Sequence, residues 1–268
     1  MGVVVRHWLR RVSRVATWLA VIGLSRPHWP EPLERIGSLY GGWFIDCRLV
    51  THGGSVVSCG AGEDISFDID LARRFGVVVL IVDPTPRAQD HFRAVLARCG
   101  MPKESEYRDI GNQEASAYEL SGIRAEQLVL EPVAVWDEDA MLNFYPPRDP
   151  SHVSHSLVDY QGSARLGAKP LRVRSVDFGP YLTRSLREQP SLVKLDVEGA
   201  ENRVVPSMLG AGIRPRQVLI EFDELNEPSV ASLLRFWKTH RLLAASGYRC
   251  AKVHYPADLT YILLSDNS

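Results

Sequence analysis

Runs of aliphatic residues alternate with amphipathic stretches along most of this chain, which predicts strands and helices in turn. Residues 77–82 are six consecutive aliphatics, five of them β-branched. Such a run predicts a strand buried on both faces, as in a parallel sheet. Shorter runs predict strands at 55–58, 172–176, 193–196, 217–222, 250–253 and 260–264. A strand pair is expected at 127–131 and 134–136, broken at Pro132. Phe67, Leu71 and Phe75, at i, i+4 and i+8, predict a helix over 65–75. Phe92, Val95 and Leu96 mark a second helix from about 86 to 99, with Gly100 placed to stop it. Further helices are expected over 181–188, 200–208 and 230–245. Repeated strand–helix alternation predicts an α/β, doubly wound fold with an antiparallel strand pair near the C-terminus. Residues 101–127 are polar and show no clear period. Residues 146–170 contain four prolines and read as a long loop, a feature that in compact domains is frequently functional.

The first 25 residues have a different pattern. Trp8, Val12, Val15, Leu19 and Ile22 recur at helical spacing, and Arg6, Arg10 and Arg14 form a second row. A basic amphipathic helix of this kind suits the surface of an anionic membrane. Packing on the domain or on a partner chain explains the same periodicity equally well. The uncharged run 15–24 is too short to span a bilayer, and no A-x-A cleavage pattern follows it. Pro27, Pro30 and Pro32 end the helix. The chain therefore divides into a helix and linker over 1–29 and a catalytic-size domain over 30–268.

Candidate chemistry sits at predicted strand ends. The strand at 55–58 runs into Gly60-Ala61-Gly62, and a helix follows. That order lets the backbone approach a nucleoside cofactor closely. Asp83-Pro84 ends the next strand, 21 residues after Gly62, where an acid grips ribose hydroxyls. Position 65 is Ile where a dinucleotide fingerprint has its third glycine, and Glu63-Asp64 would repel a pyrophosphate. S-adenosylmethionine lacks phosphates and carries a positive centre, so it suits the turn better. Asp196, Glu198 and Glu201 place three carboxylates within six residues after the strand at 193–196. They can take a proton, bind a hard cation through oxygen, or hold a hydroxylated ligand; Glu201 also suits a helix cap. Glu221 ends another strand. His152 and His155 are second candidates within the long loop. A net charge of −1 gives no electrostatic case for a nucleic-acid partner. Four scattered cysteines without a CxxC pair point to a reducing, cytoplasmic setting rather than to zinc or disulfides. No metal is assigned, and oligomeric state is not readable.

Taken together these segments resemble the FkbM-type family of S-adenosylmethionine-dependent methyltransferases. Residues 58–68 are similar to its glycine-turn region, Asp83-Pro84 to its second strand end, and Val133–Asp137 with Glu138, Phe144 and Tyr145 to its adenine-side strand and hairpin. Ser175-Val176-Asp177 and Leu219-Ile220-Glu221 match the strands around Lys194–Glu201, the most distinctive motif. The resemblance implies a seven-stranded class I fold transferring a methyl group to a hydroxyl of a sugar, glycan, lipid or small metabolite. It assigns Gly60, Ala61 and Gly62 to the methionine portion, Asp83 and Pro84 to the ribose side, and Ala134 to the adenine face. Asp196 and Glu198 flank the methyl and acceptor, with His155 in reserve. Ser58 stands where the family has an acid, leaving Glu63 or Asp64 to substitute. A nicotinamide oxidoreductase and a non-catalytic, membrane-tethered or partner-binding protein with the same fold are the alternatives.

Overall fold

The computed structural model describes residues 2–145, 169–226, 228–254 and 257–264, with backbone only for 2–12. The elements of the main sheet are β3 (Ser55–Cys59), β4 (Val78–Val82), β5 (Leu128–Glu131), β9 (Leu192–Leu195), β10 (Gln217–Glu221), β11 (Tyr248–His254) and β12 (Asp258–Leu263). Their order is β11-β12-β10-β9-β3-β4-β5. The pairs from β10 to β5 are parallel, whereas β12 runs antiparallel to both its neighbours. This is the doubly wound class I methyltransferase arrangement with a reversed strand inserted near one edge. Strand order reverses direction between β3 and β9, which makes that junction the topological switch point where ligands bind in open α/β sheets.

Both faces of the sheet are covered, as its aliphatic strands require. Val57, Val193 and Ile220 point into one core with α4 (Phe178–Ser185), α5 (Glu201–Gly210) and α6 (Val230–Ala245). Val56, Leu192 and Leu219 point into the other, with α2 (Ser66–Phe75) and α3 (Pro86–Leu96). The period-two alternation between these residues is the strand signature. Bounds differ from the expected ones by one to three residues at most ends, and α6 matches at both.

The expected pairing of 127–131 with 134–136 does not occur. β5 joins β4, whereas β6 (Ala134–Trp136) pairs with β8 (Leu171–Asp177) in a separate three-stranded sheet that ends on β7 (Ala140–Phe144). Pro132 lacks an N–H, and Val133 N–H turns back to Glu131 O at 2.9 Å, so the chain bends out of one sheet and into the next. A short antiparallel hairpin of β1 (Glu34–Ile36) and β2 (Trp43–Ile45) precedes the main sheet.

α1 (Gly2–Ser25) packs against α6, β11 and the 3-10 turn Asp223–Asn226. Its domain-facing residues are Thr17, Val21 and Ser25, all buried. Of the expected stripe, Val15 and Leu19 face away from the domain, 46% and 57% exposed, whereas Ile22 is partly buried. Among the described residues no helix is long and apolar enough to cross a membrane.

Phe67 fills the α2 core and is 1% exposed. Phe67→Ala should destabilise the protein by about 3–5 kcal/mol, read as a lower midpoint in urea denaturation with an unchanged slope.

Candidate functional site

The parallel strands deliver their carboxyl ends to one edge of the sheet, and the glycine turn begins there. Gly60 N–H donates to Val82 O at 3.0 Å, and Asp196 N–H donates to Cys59 O at 3.1 Å. The turn is thus tied to β4 on one side and to the residue after β9 on the other. Gly60 has φ +83°, and a Cβ there would lie 1.9 Å from Asp196 O. Only glycine fits a backbone packed this closely.

Asp83 braces the turn from the end of β4. Its Oδ2 accepts the N–H groups of Ala61 (2.9 Å) and Gly62 (3.1 Å). Its Oδ1 accepts the N–H (2.8 Å) and hydroxyl (2.6 Å) of Thr85. A carboxylate offers about four acceptor directions, and protein donors meet all of them. The ribose-binding position of the sequence analysis is therefore occupied by an acid that shapes the glycine turn. Pro84 follows it, and its carbonyl accepts from Gln89 Nε2 at 3.1 Å.

Beneath the turn lies a buried polar group that sequence reasoning did not assign. Lys194, on β9, is 5% exposed. Its ammonium donates to Gly60 O at 2.5 Å, lies 3.3 Å from Asp196 Oδ2, and sits 5.9 Å from the Trp43 ring centroid. Burial works against the charge, but Asp196 and Asp68 outweigh it and raise the Lys194 pKa. Ser58 pairs with Lys194 in the sheet register and is fully buried. Asp68, in the first turn of α2, is 2% exposed. Burial pushes its carboxyl up to about 6, against the opposing pull of Lys194 and the nearby Ser58 hydroxyl. Neither Asp68 Oδ1 nor Ser58 Oγ has a partner in hydrogen-bonding geometry. The signal for this group was present in the sequence: a lysine inside an aliphatic strand, and an aspartate between Phe67 and Ile69 on a buried helix face.

The same edge is crowded with acids. Glu198 adopts φ +51°, a left-handed conformation that costs a non-glycine residue about 1–2 kcal/mol, and strain of this kind gathers at functional sites. Burial, then Asp196, Asp258 and Glu198, push the Glu221 carboxyl well above its usual range. Glu221 and Asp258 are direct neighbours across β10 and β12. Burial also raises Asp258, partly offset by His254, whose Nδ1 lies 3.2 Å from Asp258 Oδ2. The phenol of Tyr40, a residue 62% exposed overall, is raised by partial desolvation and then by the fields of Asp196, Glu221, Glu198 and Asp64. Asn226 Nδ2 donates to Glu221 Oε1 (3.3 Å) and Asp223 Oδ1 (3.2 Å). Tyr40, Asp258, His254 and Asn226 come from separate segments and carry no joint sequence signal.

Other expected residues are engaged elsewhere. Glu63 pairs with Arg87 at 2.5 Å. Asp64 accepts from Ser38 Oγ (2.6 Å), Gln113 Nε2 (3.2 Å) and Ser66 N–H (3.0 Å). Both carboxylates thus hold the loop after the turn, whereas Asp68 is the acid beside Ser58. Glu201, the first residue of α5, is fully buried; its Oε1 accepts Gly199 N–H at 2.9 Å, a bond to the turn before the helix and not a helix cap, and burial pushes its carboxyl well above the usual range. Ala134 is buried in a small cluster with Phe144 and Val173. His152 and His155 lie outside the described residues. Among the described residues, no three His, Cys, Asp or Glu side chains are arranged to hold a metal ion.

No protein-family model and no curated protein matches this chain. Among solved structures it is similar to the fibrillarin pre-rRNA processing protein of Methanococcus jannaschii, at 10% identity and a TM-score of 0.42, over 82% of this chain and 70% of that one. The methyltransferase fold is read from the strand order itself.

The buried Asp68 carries a pH signature. Its folded value of about 6 lies above the ordinary 3.8, so the folded state binds the proton more tightly. Its favourable contribution is complete below pH ~4 and is lost as pH rises through ~6, about 3 kcal/mol in all. Asp68→Asn should flatten the pH 4–6.5 dependence of unfolding free energy by that order; an unchanged profile would show that Asp68 is ionised throughout.

Proposed function

We propose that this chain is an S-adenosylmethionine-dependent methyltransferase acting on an acceptor hydroxyl. The observation that carries the reading is the meeting of the glycine turn with Asp196 across adjacent parallel strands, where Gly60 leaves no room for a Cβ. That cradle fits a nucleoside cofactor without phosphates, and the acids around it suit a positive centre. The main chain of Gly60, Ala61 and Gly62 would hold the methionine portion. Asp83 fixes the shape of the turn, and Lys194 pins Gly60 and Asp196 to each other. When bound, the cofactor supplies an electrophilic methyl group to an in-line displacement.

The protein's part is alignment and proton handling. Asp196 takes the proton of the acceptor hydroxyl as that oxygen becomes the nucleophile. Glu198, held in its left-handed turn, orients the acceptor, and Tyr40 flanks it. Glu221, whose carboxyl is pushed well above its usual range by burial and by Asp196, Asp258 and Glu198, lines the same edge and offers the acceptor a further polar contact. An acceptor rich in hydroxyls, such as a sugar or glycan, matches this set of donors and acceptors. His155 is a second base in the loop, and no step is assigned to a metal. The resemblance to the FkbM-type family rests on the motifs around Gly60 and Lys194–Glu201.

One observation favours the non-catalytic alternative: the Asp83 carboxylate has no acceptor direction left for ribose. Calorimetric titration separates the readings. S-adenosylmethionine should bind and NAD should not; preference for NAD, or binding of neither, sinks the proposal. Gly60→Ala should abolish the binding. With labelled methyl donor and a panel of glycans and metabolites, Asp196→Asn should lower kcat by roughly 100-fold or more while leaving cofactor affinity within severalfold. An unchanged rate would remove Asp196 from the chemistry.

A further inference from the structure

We infer that α1 docks this protein on an anionic lipid surface, lying flat with the Val15–Leu19 stripe in the bilayer interface. The orientation of the helix is the first argument. Thr17, Val21 and Ser25 recur every four residues and are all buried against the domain. Arg14 Nε donates to Asn226 O at 2.8 Å, which fixes the helix rotation. At 100° per residue, Leu19 and Val15 then fall roughly opposite that face, where they are 57% and 46% exposed. Leu24, nearer the domain side, is also 39% exposed. Among its described side chains the helix buries Thr17, Val21 and Ser25, partly buries Trp18 and Ile22, and shows water Val15, Leu19 and Leu24. In the sequence the stripe continues to Val12 and Trp8 at the same spacing.

Charge selects the occupant. The first 30 residues hold five arginines and no acid, the first acid being Glu31. The chain as a whole carries a net charge of −1, so this end is a local positive region on a slightly acidic protein. A second copy of the helix would bring like charges together. Anionic phospholipid headgroups neutralise arginines while the acyl boundary takes the apolar stripe. The helix is not long and apolar enough to cross the bilayer, so it lies on the surface.

The full chain is sedimented with vesicles of phosphatidylcholine alone and of phosphatidylcholine mixed with phosphatidylserine. Binding should favour the anionic vesicles by tenfold or more and weaken as salt rises. Val15→Glu with Leu19→Glu should lower the vesicle partition by about tenfold or more, with an unchanged thermal midpoint because both sites are exposed. Arg10→Gln with Arg11→Gln should lower only the anionic preference. The inference is overturned by absence of sedimentation, by equal binding to both vesicles, or by insensitivity to the glutamate pair. It is also overturned if the lipid-free protein is a dimer that the glutamate pair disperses, which would assign the stripe to a second copy. None of these readouts depends on methyl transfer.

Discussion

A lysine ammonium withdrawn from water must find its counter-charges nearby, and at Lys194 that requirement organises the whole switch point. Desolvating a charge costs several kcal/mol unless partners compensate. Here the partners are the Gly60 carbonyl, Asp196 and the field of Asp68. These three come from the glycine turn, the end of β9 and the first turn of α2. One side chain therefore sets the distance between the turn and the acid proposed to work beside it. Asp83 acts on the turn from the opposite side through two N–H donors. The turn is held between a cation that takes its carbonyl and an anion that takes its amides, so its shape is prepared before any ligand arrives.

Preparation has an electrostatic cost at the same edge. Asp196, Glu198, Glu221 and Asp258 gather at one edge, with Lys194 beside Asp196 and His254 beside Asp258. Like charges in a partly dry site cannot all ionise, and Glu221 and Asp258 respond with raised pKa values. The cluster thus sets two carboxyls of raised pKa beside Asp196, which is paired with Lys194, and environments that push neighbouring carboxyl pKa values apart are how one site can hold both an acid and a base. Such an arrangement destabilises the fold locally and is the kind of local conflict that functional sites retain.

Much of the architecture was legible because burial on both faces leaves a plain mark. The six aliphatics at 77–82 mark a strand covered on both faces, and the helix expected over 230–245 has those bounds. The hairpin of β1 and β2 was not legible, since three-residue strands are too short to show a period. The misplaced partner of β6 has a different cause: pairing depends on Leu171–Asp177, far along the chain, and not on the neighbour across Pro132. At the site, Gly60, Asp83 and Asp196 were visible by spacing. The engagement of Asp83 was not, because backbone N–H donors have no residue type. Lys194 was quoted within its motif but read as part of a pattern; its meaning lies in depth, which a pattern does not report. Asp68 shows the same gap, as a helix-start acid is ordinarily a cap.

The reversed direction of β12 has a consequence for how such a protein can change. Parallel strands bring their last residues to the functional edge, whereas β12 brings its first, Asp258, and β11 ends beside it at His254. Both strand ends, His254 and Asp258, therefore reach the acidic edge, on an antiparallel ladder whose register shifts between Cys250 and Lys252. Insertions or substitutions there would reshape what the acids face without breaking a parallel crossover or disturbing the glycine turn. The fold thus keeps the hairpin of β11 and β12 apart from the turn built around Gly60 and Lys194, so that the hairpin can alter the acidic edge at little cost to the parallel strands.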